Sequence, residues 1–288
     1  MRIRLRPGPG IRVRKAAAGR IPLLILTPEQ PKKNVPGVLW IHGGGYMTGM
    51  KEMVYMSRGA DLCRECGAAV VSPGYRLALF SPWPAALNDC YEALLWLRDH
   101  AAELGVRPDQ IMVGGESAGG GLAAAVCIKA RDRGEVNVAF QMPLYPMLDN
   151  HDTATSRDNH GKVWNTRRNH LGWRLYLRGD AKKDVSPLAS PARLKDYRGL
   201  PPCYTFVGTG EPFLCETEAW VRNLRGAGVP AACDLYETDV HAFDMLYPES
   251  DISRAAKAKF LNRFREACRL YAAPQPPPSA DKPSPTEE

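Results

Sequence analysis

A serine flanked by glycines, Ser117, lies between an apolar run and a run of small residues. The apolar residues 111–113 predict a buried strand, and residues 122–130 predict a helix packed close to a sheet. The pattern Gly115-x-Ser117-x-Gly119 is typical of a strained strand-to-helix turn that presents a serine hydroxyl above a sheet. The helix N-terminus after the serine places partial positive charge beside any anion that forms there. Ser117 is therefore a candidate nucleophile, although small residues around a serine also occur in ordinary turns.

His241 is the candidate base, because a serine hydroxyl is a weak nucleophile until a base takes its proton. In chains with this kind of turn, the order is serine, then acid, then histidine. His241 follows the predicted strand over residues 232–236, where a loop can reach back to Ser117. Three other histidines follow Ser117 too early, in a polar segment that favours surface positions: His151, His160 and His170.

Glu211 is the candidate acid, because it follows the predicted strand over residues 203–207 and precedes His241. A carboxylate in this position would hold the imidazole in the correct tautomer and stabilise the imidazolium. Glu216 is a weaker rival inside the next predicted helix. Two aspartates lie too close in sequence to His241 to be favoured: Asp239 and Asp244.

A run of glycines, His42-Gly43-Gly44-Gly45, follows the apolar strand predicted over residues 38–41. A tetrahedral intermediate needs backbone N–H donors already aimed at the developing oxyanion, and glycine allows that close approach. The predicted donors are Gly43 and Gly44, together with Ala118 beside the nucleophile. The alternative is a plain flexible turn, which the presence of the Ser117 motif disfavours.

The elements that must position these residues alternate between strand and helix. Strands are predicted over residues 3–14, 21–26, 38–41, 68–73, 111–113, 138–142, 203–207 and 232–236. Helices are predicted over residues 55–66, 88–100, 122–130, 166–177, 213–226 and 253–271. This order implies one α/β domain over residues 1–272, with a mostly parallel sheet covered on both faces. Residues 148–180 are predicted to form a polar cap insertion, and the Pro-rich residues 273–288 are predicted to be disordered.

Composition narrows the class of protein. The chain has 288 residues, 44% of them hydrophobic and 24% charged, which is sufficient for one large domain with a sizeable core. It contains no apolar run of about 18 residues and no signal-peptide pattern, so a cytoplasmic protein without membrane contact is expected. The net charge of +7 is concentrated partly in the N-terminal arm, which is better explained as a solvated edge strand than as a nucleic-acid site.

The eight cysteines do not predict a metal site or disulfides. Only Cys63 and Cys66 are close in sequence, and neither a second pair nor a nearby histidine completes a zinc site. In a chain of this size without an export signal, reduced thiols are favoured.

Together the motifs resemble the hormone-sensitive-lipase family of α/β-hydrolases, in its bacterial carboxylesterase branch. The matching segments occur in the family's order between about residues 36 and 247: His-Gly-Gly-Gly-Tyr at 42–46, Tyr-Arg-Leu-Ala at 75–78, Pro-Ala-Ala-Leu-Asn-Asp-Cys at 84–90, Gly-Glu-Ser-Ala-Gly at 115–119, Ser-Pro-Leu at 186–188 and His-Ala-Phe at 241–243. The resemblance implies an α/β-hydrolase sheet, a triad of Ser117, Glu211 and His241, and hydrolysis of carboxylic esters without a cofactor or metal.

Three features depart from the family's pattern. The family usually has aspartate where this chain has Glu211, and proline where it has Leu79. Many members also carry cap helices before the first strand, whereas this chain begins almost directly with a strand. The lid is therefore expected to come mainly from residues 148–180, leaving an acyl site that is more open or is completed by a partner chain.

The favoured function is a serine carboxylesterase that acts on short acyl esters as its small-molecule substrates. An amide or formamide hydrolase could use the same triad. A non-catalytic ligand receptor on this fold is disfavoured, because family members of that kind have lost the histidine that this chain retains as His241. No long apolar lid helix is predicted, which argues against long-chain lipase activity. The edge strand or the last helix could pair two chains in a homodimer.

Overall fold

The computed structural model describes residues 6–178 and 184–277, and eight strands in this part of the chain form one mixed sheet. The strands are β1 Ile11–Ala18, β2 Ile21–Pro28, β3 Val35–Ile41, β4 Ala69–Pro73, β5 Val106–Glu116, β6 Phe140–Leu144, β7 Cys203–Gly208 and β8 Ala231–Tyr236. Their order across the sheet is β1-β2-β4-β3-β5-β6-β7-β8. The pairs β1–β2 and β2–β4 are antiparallel, and the remaining pairs are parallel.

Helices cover both faces of this sheet. They are α1 Arg58–Cys66, α2 Ala85–Asp99, α3 Ala118–Arg133, α4 Thr166–Leu177, α5 Leu214–Gly226, α6 Phe243–Leu246 and α7 Asp251–Leu270. Buried residues of α2, α3 and α5 pack with one face, and those of α1 and α7 pack with the other. Alternate residues of β5 enter the two layers, with Ile111 and Val113 on one side and Met112 on the other. The predicted α/β class with a mostly parallel sheet is confirmed.

Several element boundaries differ from the predictions. The first strand, predicted over residues 3–14, begins at Ile11 and continues to Ala18, and residues 1–5 lie outside the described residues. The helix predicted over residues 55–66 is divided at Ser57, whose extended backbone separates a 3₁₀ helix, Lys51–Met56, from α1. The Ser57 hydroxyl accepts the backbone N–H of Gly59 and so caps α1.

The insertion between β6 and β7 contains α4, with the bounds that the sequence predicts. The Asn165 side chain accepts the backbone N–H of Arg168 at the start of this helix. The last two residues of the predicted cap, 179 and 180, lie outside the described residues.

Residues beyond the predicted domain end at residue 272 also contact the domain. The Ala273 backbone N–H donates to the Asp109 carbonyl, and the Gln275 side chain donates to the Pro108 and Asn137 carbonyls. Ala273 and Gln275, in the tail that the sequence predicts to be disordered, therefore contact backbone carbonyls of β5 and of the segment that joins α3 to β6. Residues 278–288 lie outside the described residues.

The strands β1 and β8 are the two edges of the sheet, and Arg12 and Arg14 on β1 are solvent-accessible, as predicted for a charged edge.

All eight cysteines are free thiols. Among the helices described, none combines the length and the apolar character needed to cross a membrane.

Candidate active site

Ser117 occupies the turn between β5 and α3 with φ 57° and ψ −121°, a conformation that is costly for a residue with a Cβ. The neighbouring glycines make this turn sterically feasible. A Cβ at Gly119 would lie 2.1 Å from the Ile41 carbonyl oxygen. The turn is also held by backbone hydrogen bonds: the Ser117 N–H donates to the Leu144 carbonyl, and the Met147 N–H donates to the Ser117 carbonyl, each at 3.0 Å.

The structure brings Ser117, His241 and Glu211 into one hydrogen-bonded line. His241 Nε2 lies 2.8 Å from Ser117 Oγ, and His241 Nδ1 forms a short contact with Glu211 Oε2. The second oxygen, Glu211 Oε1, accepts the backbone N–H of Gly208 at 2.8 Å. All three side chains are buried. Glu211 follows β7 and His241 follows β8, and the carboxyl ends of parallel strands meet at one edge of a sheet.

The glycine run after β3 passes directly beside this turn. A Cβ at Gly43 would lie 2.9 Å from the Glu116 carbonyl oxygen, and Gly44 has φ 119°, which favours glycine. The Tyr75 hydroxyl donates to the His42 carbonyl at 2.9 Å, and the two rings stack with centroids 4.2 Å apart. Within residues 6–178 and 184–277, no protein group accepts a hydrogen bond from the backbone N–H of Gly43, Gly44 or Ala118. Among the described residues, these three predicted donors therefore have no competing protein acceptor.

Known proteins of similar sequence and fold are esterases and other α/β-hydrolases. A family model described as alpha/beta hydrolase fold matches residues 38–245. An arylesterase from Saccharolobus solfataricus is 33% identical over 227 residues, which are 77% of this chain and 72% of the relative. The carboxylic ester hydrolase LipN from Mycobacterium tuberculosis is 30% identical over 272 residues, which are 90% of this chain and 72% of the relative. A solved structure named bacterial heroin esterase has a TM-score of 0.85 and 36% identity, and the match covers 91% of this chain and 86% of that one.

The chain belongs to the hormone-sensitive-lipase family of α/β-hydrolases.

The other carboxylates considered for the triad have different partners in this α/β-hydrolase. Glu216 Oε1 accepts the backbone N–H groups of Leu148 and Asp149 at 2.6 and 3.2 Å, so this side chain anchors the start of the insertion. Burial raises the pKa of Glu216 well above its usual value. Asp244 accepts the Tyr145 hydroxyl at 2.9 Å, and Asp239 is exposed.

The histidines predicted to lie on the surface belong to the insertion. His160 and His170 are exposed and contact Asp158 and Asp152 respectively. His151 is only half-buried, with its Nδ1 atom 3.0 Å from Arg193 Nη1.

A cavity of about 220 Å³ opens beside Ser117. It is lined by the glycine run, Glu116, Ser117, Tyr145 and His241, and its surface is almost wholly apolar. The apolar residues come from the 3₁₀ helix, the insertion and α6: Met53, Met56, Val163, Trp164, Ala242, Met245 and Leu246. Val163 and Trp164 belong to the insertion, which therefore contributes to the wall of the cavity. Leu79, by contrast, is exposed and lines a separate surface depression with residues of α4.

Three ionisable side chains near Ser117 and Tyr145 are buried: Glu116, Asp244 and Arg58. Trp40 Nε1 donates to Glu116 Oε1 at 2.8 Å, and the pKa of Glu116 is raised to about 8, mainly by burial and then by the nearby charge of Asp244. Arg58 pairs with Asp244, with 3.1 Å between Arg58 Nε and Asp244 Oδ2. The part of the chain that the structure describes has no group of three His, Cys, Asp or Glu side chains that could hold a metal ion.

Reasoning from the sequence did not identify Tyr145 or Trp164 as site residues. Tyr145 directly follows β6, so the same argument from strand ends that selected Glu211 could have selected it. Trp164 lies in an irregular segment, where no periodic pattern indicates which side chain will reach the cavity.

Proposed function

We propose that this protein is a serine esterase that hydrolyses short-chain carboxylic esters through Ser117, His241 and Glu211. Hydrolysis of carboxylic esters is the activity named for its relatives, among them a carboxylic ester hydrolase and an arylesterase. The observation that carries the proposal is the line of hydrogen bonds from Glu211 through His241 to Ser117.

In the first step, Ser117 Oγ attacks the ester carbonyl carbon while His241 Nε2 takes the hydroxyl proton. The resulting oxyanion accepts hydrogen bonds from the N–H groups of Gly43, Gly44 and Ala118. The N-terminal end of α3 adds partial positive charge beside the same oxygen. Because these donors belong to a glycine run and a turn that are fixed before the reaction, little reorganisation is needed as the charge develops.

The tetrahedral intermediate then collapses: His241 gives its proton to the leaving alcohol oxygen, and the acyl group stays on Ser117. In the second half of the reaction, water attacks this acyl-enzyme while His241 takes a proton from it, and His241 returns that proton to Ser117 Oγ as the carboxylic acid leaves. Glu211 holds the imidazole in one tautomer and stabilises its protonated form. The Glu211 side chain is longer than the family's usual aspartate. It contacts His241 through one oxygen while its second oxygen accepts the Gly208 N–H.

Short substrates are favoured by the size and covering of the cavity. The cavity holds about 220 Å³, and Trp164 of the insertion forms part of its wall. The wall is lined mainly by methionine, leucine, valine and tryptophan side chains, which suits an uncharged acyl or aryl group.

The proposal is tested by replacing the nucleophile and measuring hydrolysis of p-nitrophenyl acetate. Ser117→Ala should retain the fold and lose nearly all turnover, and it should not react with an organophosphate that labels the unmodified protein once per chain. Ser81→Ala, in a loop away from the cavity, is the control and should react normally. Substantial turnover by Ser117→Ala would remove Ser117 from the mechanism.

The unmodified protein can also be used to test the two alternative functions, an amide hydrolase and a non-catalytic receptor. Matched ester and anilide substrates compare esterase with amidase activity, and we expect the ester to be cleaved faster. Covalent labelling of Ser117 by the organophosphate would exclude a non-catalytic receptor, because labelling requires an activated hydroxyl.

A further inference from the structure

The last residue of β6 and the residues that follow it hold the Ser117 backbone from both sides. Leu144 accepts the backbone N–H of Ser117, and Met147 donates to the Ser117 carbonyl. Tyr145 lies between these two contacts, with φ 32° and its own N–H donated to the Phe206 carbonyl at 2.9 Å. Its side chain is fully buried. Any movement of residues 144–147 would therefore be transmitted to the Ser117 turn.

The segment after the base is fixed through Asp244. This residue lies in α6, three positions after His241, and is fully buried. Arg58 Nη2 donates to the Asp244 carbonyl at 3.2 Å, and Arg58 Nη1 also lies 3.0 Å from Asp61 Oδ2. Between His241 and α6, Ala242 has φ 58°, so the backbone here turns sharply.

One side chain connects the two segments. The Tyr145 hydroxyl donates to Asp244 Oδ1 at 2.9 Å. The Tyr145 ring also contacts the His241 ring edge-on, with centroids 5.2 Å apart and an interplanar angle of 80°. Tyr145 thus touches the imidazole directly and joins the backbone that holds Ser117 to the helix that follows His241.

We propose that Tyr145 is a positioning residue, whose hydrogen bond to Asp244 sets the distance and angle between His241 Nε2 and Ser117 Oγ. This inference rests on the proposed esterase mechanism and adds to it the device that aligns base and nucleophile. A hydrogen bond between those two atoms is productive only within a narrow range of geometry, and a displacement of about 1 Å can reduce a rate by about a hundredfold. The Tyr145 hydroxyl affects the proton transfer between Ser117 and His241. Its removal should therefore lower kcat and leave KM nearly unchanged.

Tyr145→Phe tests the proposal, because it keeps the ring beside His241 and removes only the hydroxyl. We expect kcat for p-nitrophenyl acetate, corrected for the folded fraction seen by near-ultraviolet circular dichroism, to fall by about tenfold to a hundredfold, with KM changing by less than about twofold. The second-order rate constant for organophosphate labelling of Ser117 should fall in parallel, because it depends on the same proton transfer. An unchanged kcat per folded molecule would overturn the proposal and leave the hydroxyl with a purely structural role.

Two further variants separate the hydrogen bond from other effects. Tyr236→Phe removes a hydroxyl from the same aromatic cluster, since the Tyr236 ring packs against Phe206 and Phe243, and it should leave kcat unchanged. Asp244→Asn keeps an acceptor for the Tyr145 hydroxyl while removing the charge paired with Arg58, so its kcat per folded molecule should stay closer to that of the unmodified protein than Tyr145→Phe. A loss in Asp244→Asn as large as that in Tyr145→Phe would overturn the hydrogen bond as the cause.

The outcomes also distinguish this inference from the function on which it rests. If Ser117→Ala retains turnover, the esterase mechanism fails. If Ser117→Ala is inactive and Tyr145→Phe is fully active, the mechanism stands and only the positioning role fails.

Discussion

The indole of Trp164 lies against Gly45 so closely that a Cβ on residue 45 would come within 2.1 Å of the Trp164 Cη2 atom. The same indole has its centroid 6.3 Å from the His241 ring and 6.5 Å from the Phe213 ring. Its Nε1 atom lies 3.4 Å from Asn169 Oδ1 in α4. The insertion and the glycine run are therefore in direct contact above the cavity, and the small residue at position 45 is what lets the insertion close over it.

Trp164→Ala should widen the range of substrates. Loss of the indole removes one wall of the cavity, so kcat/KM for esters of longer acyl chains should rise relative to that for the acetyl ester. The measurement is the profile of kcat/KM across p-nitrophenyl esters of increasing acyl length. Leu171→Ala on the exposed side of α4 is the control and should leave the profile unchanged. An unaltered profile in Trp164→Ala would show that a residue other than Trp164 limits the acyl-chain length of the substrate.

Glu211→Gln should lower kcat strongly, whereas Glu216→Gln should leave it nearly unchanged. Glu211→Gln leaves the imidazolium without a neighbouring charge and permits the wrong tautomer, so kcat should fall by about 10²–10⁴-fold. Glu216→Gln keeps an oxygen that can accept the N–H groups of Leu148 and Asp149, and burial already favours the neutral acid at this site. Its kcat should stay within about twofold of the unmodified protein. Parallel assays at one pH decide the question, and a larger loss in Glu216→Gln would reverse the assignment.

The residues that local patterns could identify are those whose chemistry demands particular neighbours. Ser117 needs glycines on both sides, and the order of serine, acid and histidine along the chain selected Glu211 and His241, which the structure brings within hydrogen-bonding distance. The carboxyl ends of β3, β4 and β8 are predicted correctly, because apolar runs stop where the chain leaves the sheet, whereas β5 extends beyond its apolar run to Glu116.

The residues that escaped prediction are joined by contacts between distant parts of the chain. The Tyr145 hydroxyl donates to Asp244 across a separation of 99 residues, and the pairing of β6 with β7 and of β7 with β8 brings these parts of the chain together. Likewise, Ser57 divides a helical stretch that reads as continuous, because its hydroxyl caps α1 instead of extending the preceding turn. Neither the partner of a buried polar group nor the choice between helix and cap is encoded in hydrophobic periodicity.

Gly119→Ala should prevent stable folding, whereas Gly226→Ala should not. A Cβ at residue 119 would lie 2.1 Å from the Ile41 carbonyl oxygen and 2.5 Å from the His42 carbonyl oxygen, and backbone cannot retreat as a flexible side chain can. We expect a loss of more than about 4 kcal/mol in the free energy of unfolding. At Gly226, the last residue of α5, a Cβ would meet no described atom within 4 Å, and alanine should stabilise the chain by about 0.4–1 kcal/mol. Urea denaturation of both variants checks this, and a folded Gly119→Ala protein would show that β3 and α3 can separate.

Glu116→Gln should make the stability of the protein less dependent on pH. The pKa of Glu116 is about 8 in the folded chain, compared with an ordinary value of 4.5, so between these values the folded chain holds a proton that the unfolded chain has released. The free energy of unfolding must therefore fall as the pH rises through this window, and the raised pKa values of Glu216 and Asp244 act in the same direction. His42 acts oppositely, because burial lowers its pKa to about 4, but its contribution is complete above its ordinary value of 6.5.

Urea denaturation of the variant and the unmodified protein at pH 6.5 and pH 8 tests this, because the other titrating groups are the same in both proteins and cancel in the comparison. The amide oxygen introduced by Glu116→Gln can still accept the Trp40 N–H, so the variant should lose less stability across this interval than the unmodified protein. An equal loss in both proteins would show that Glu116 does not retain its proton.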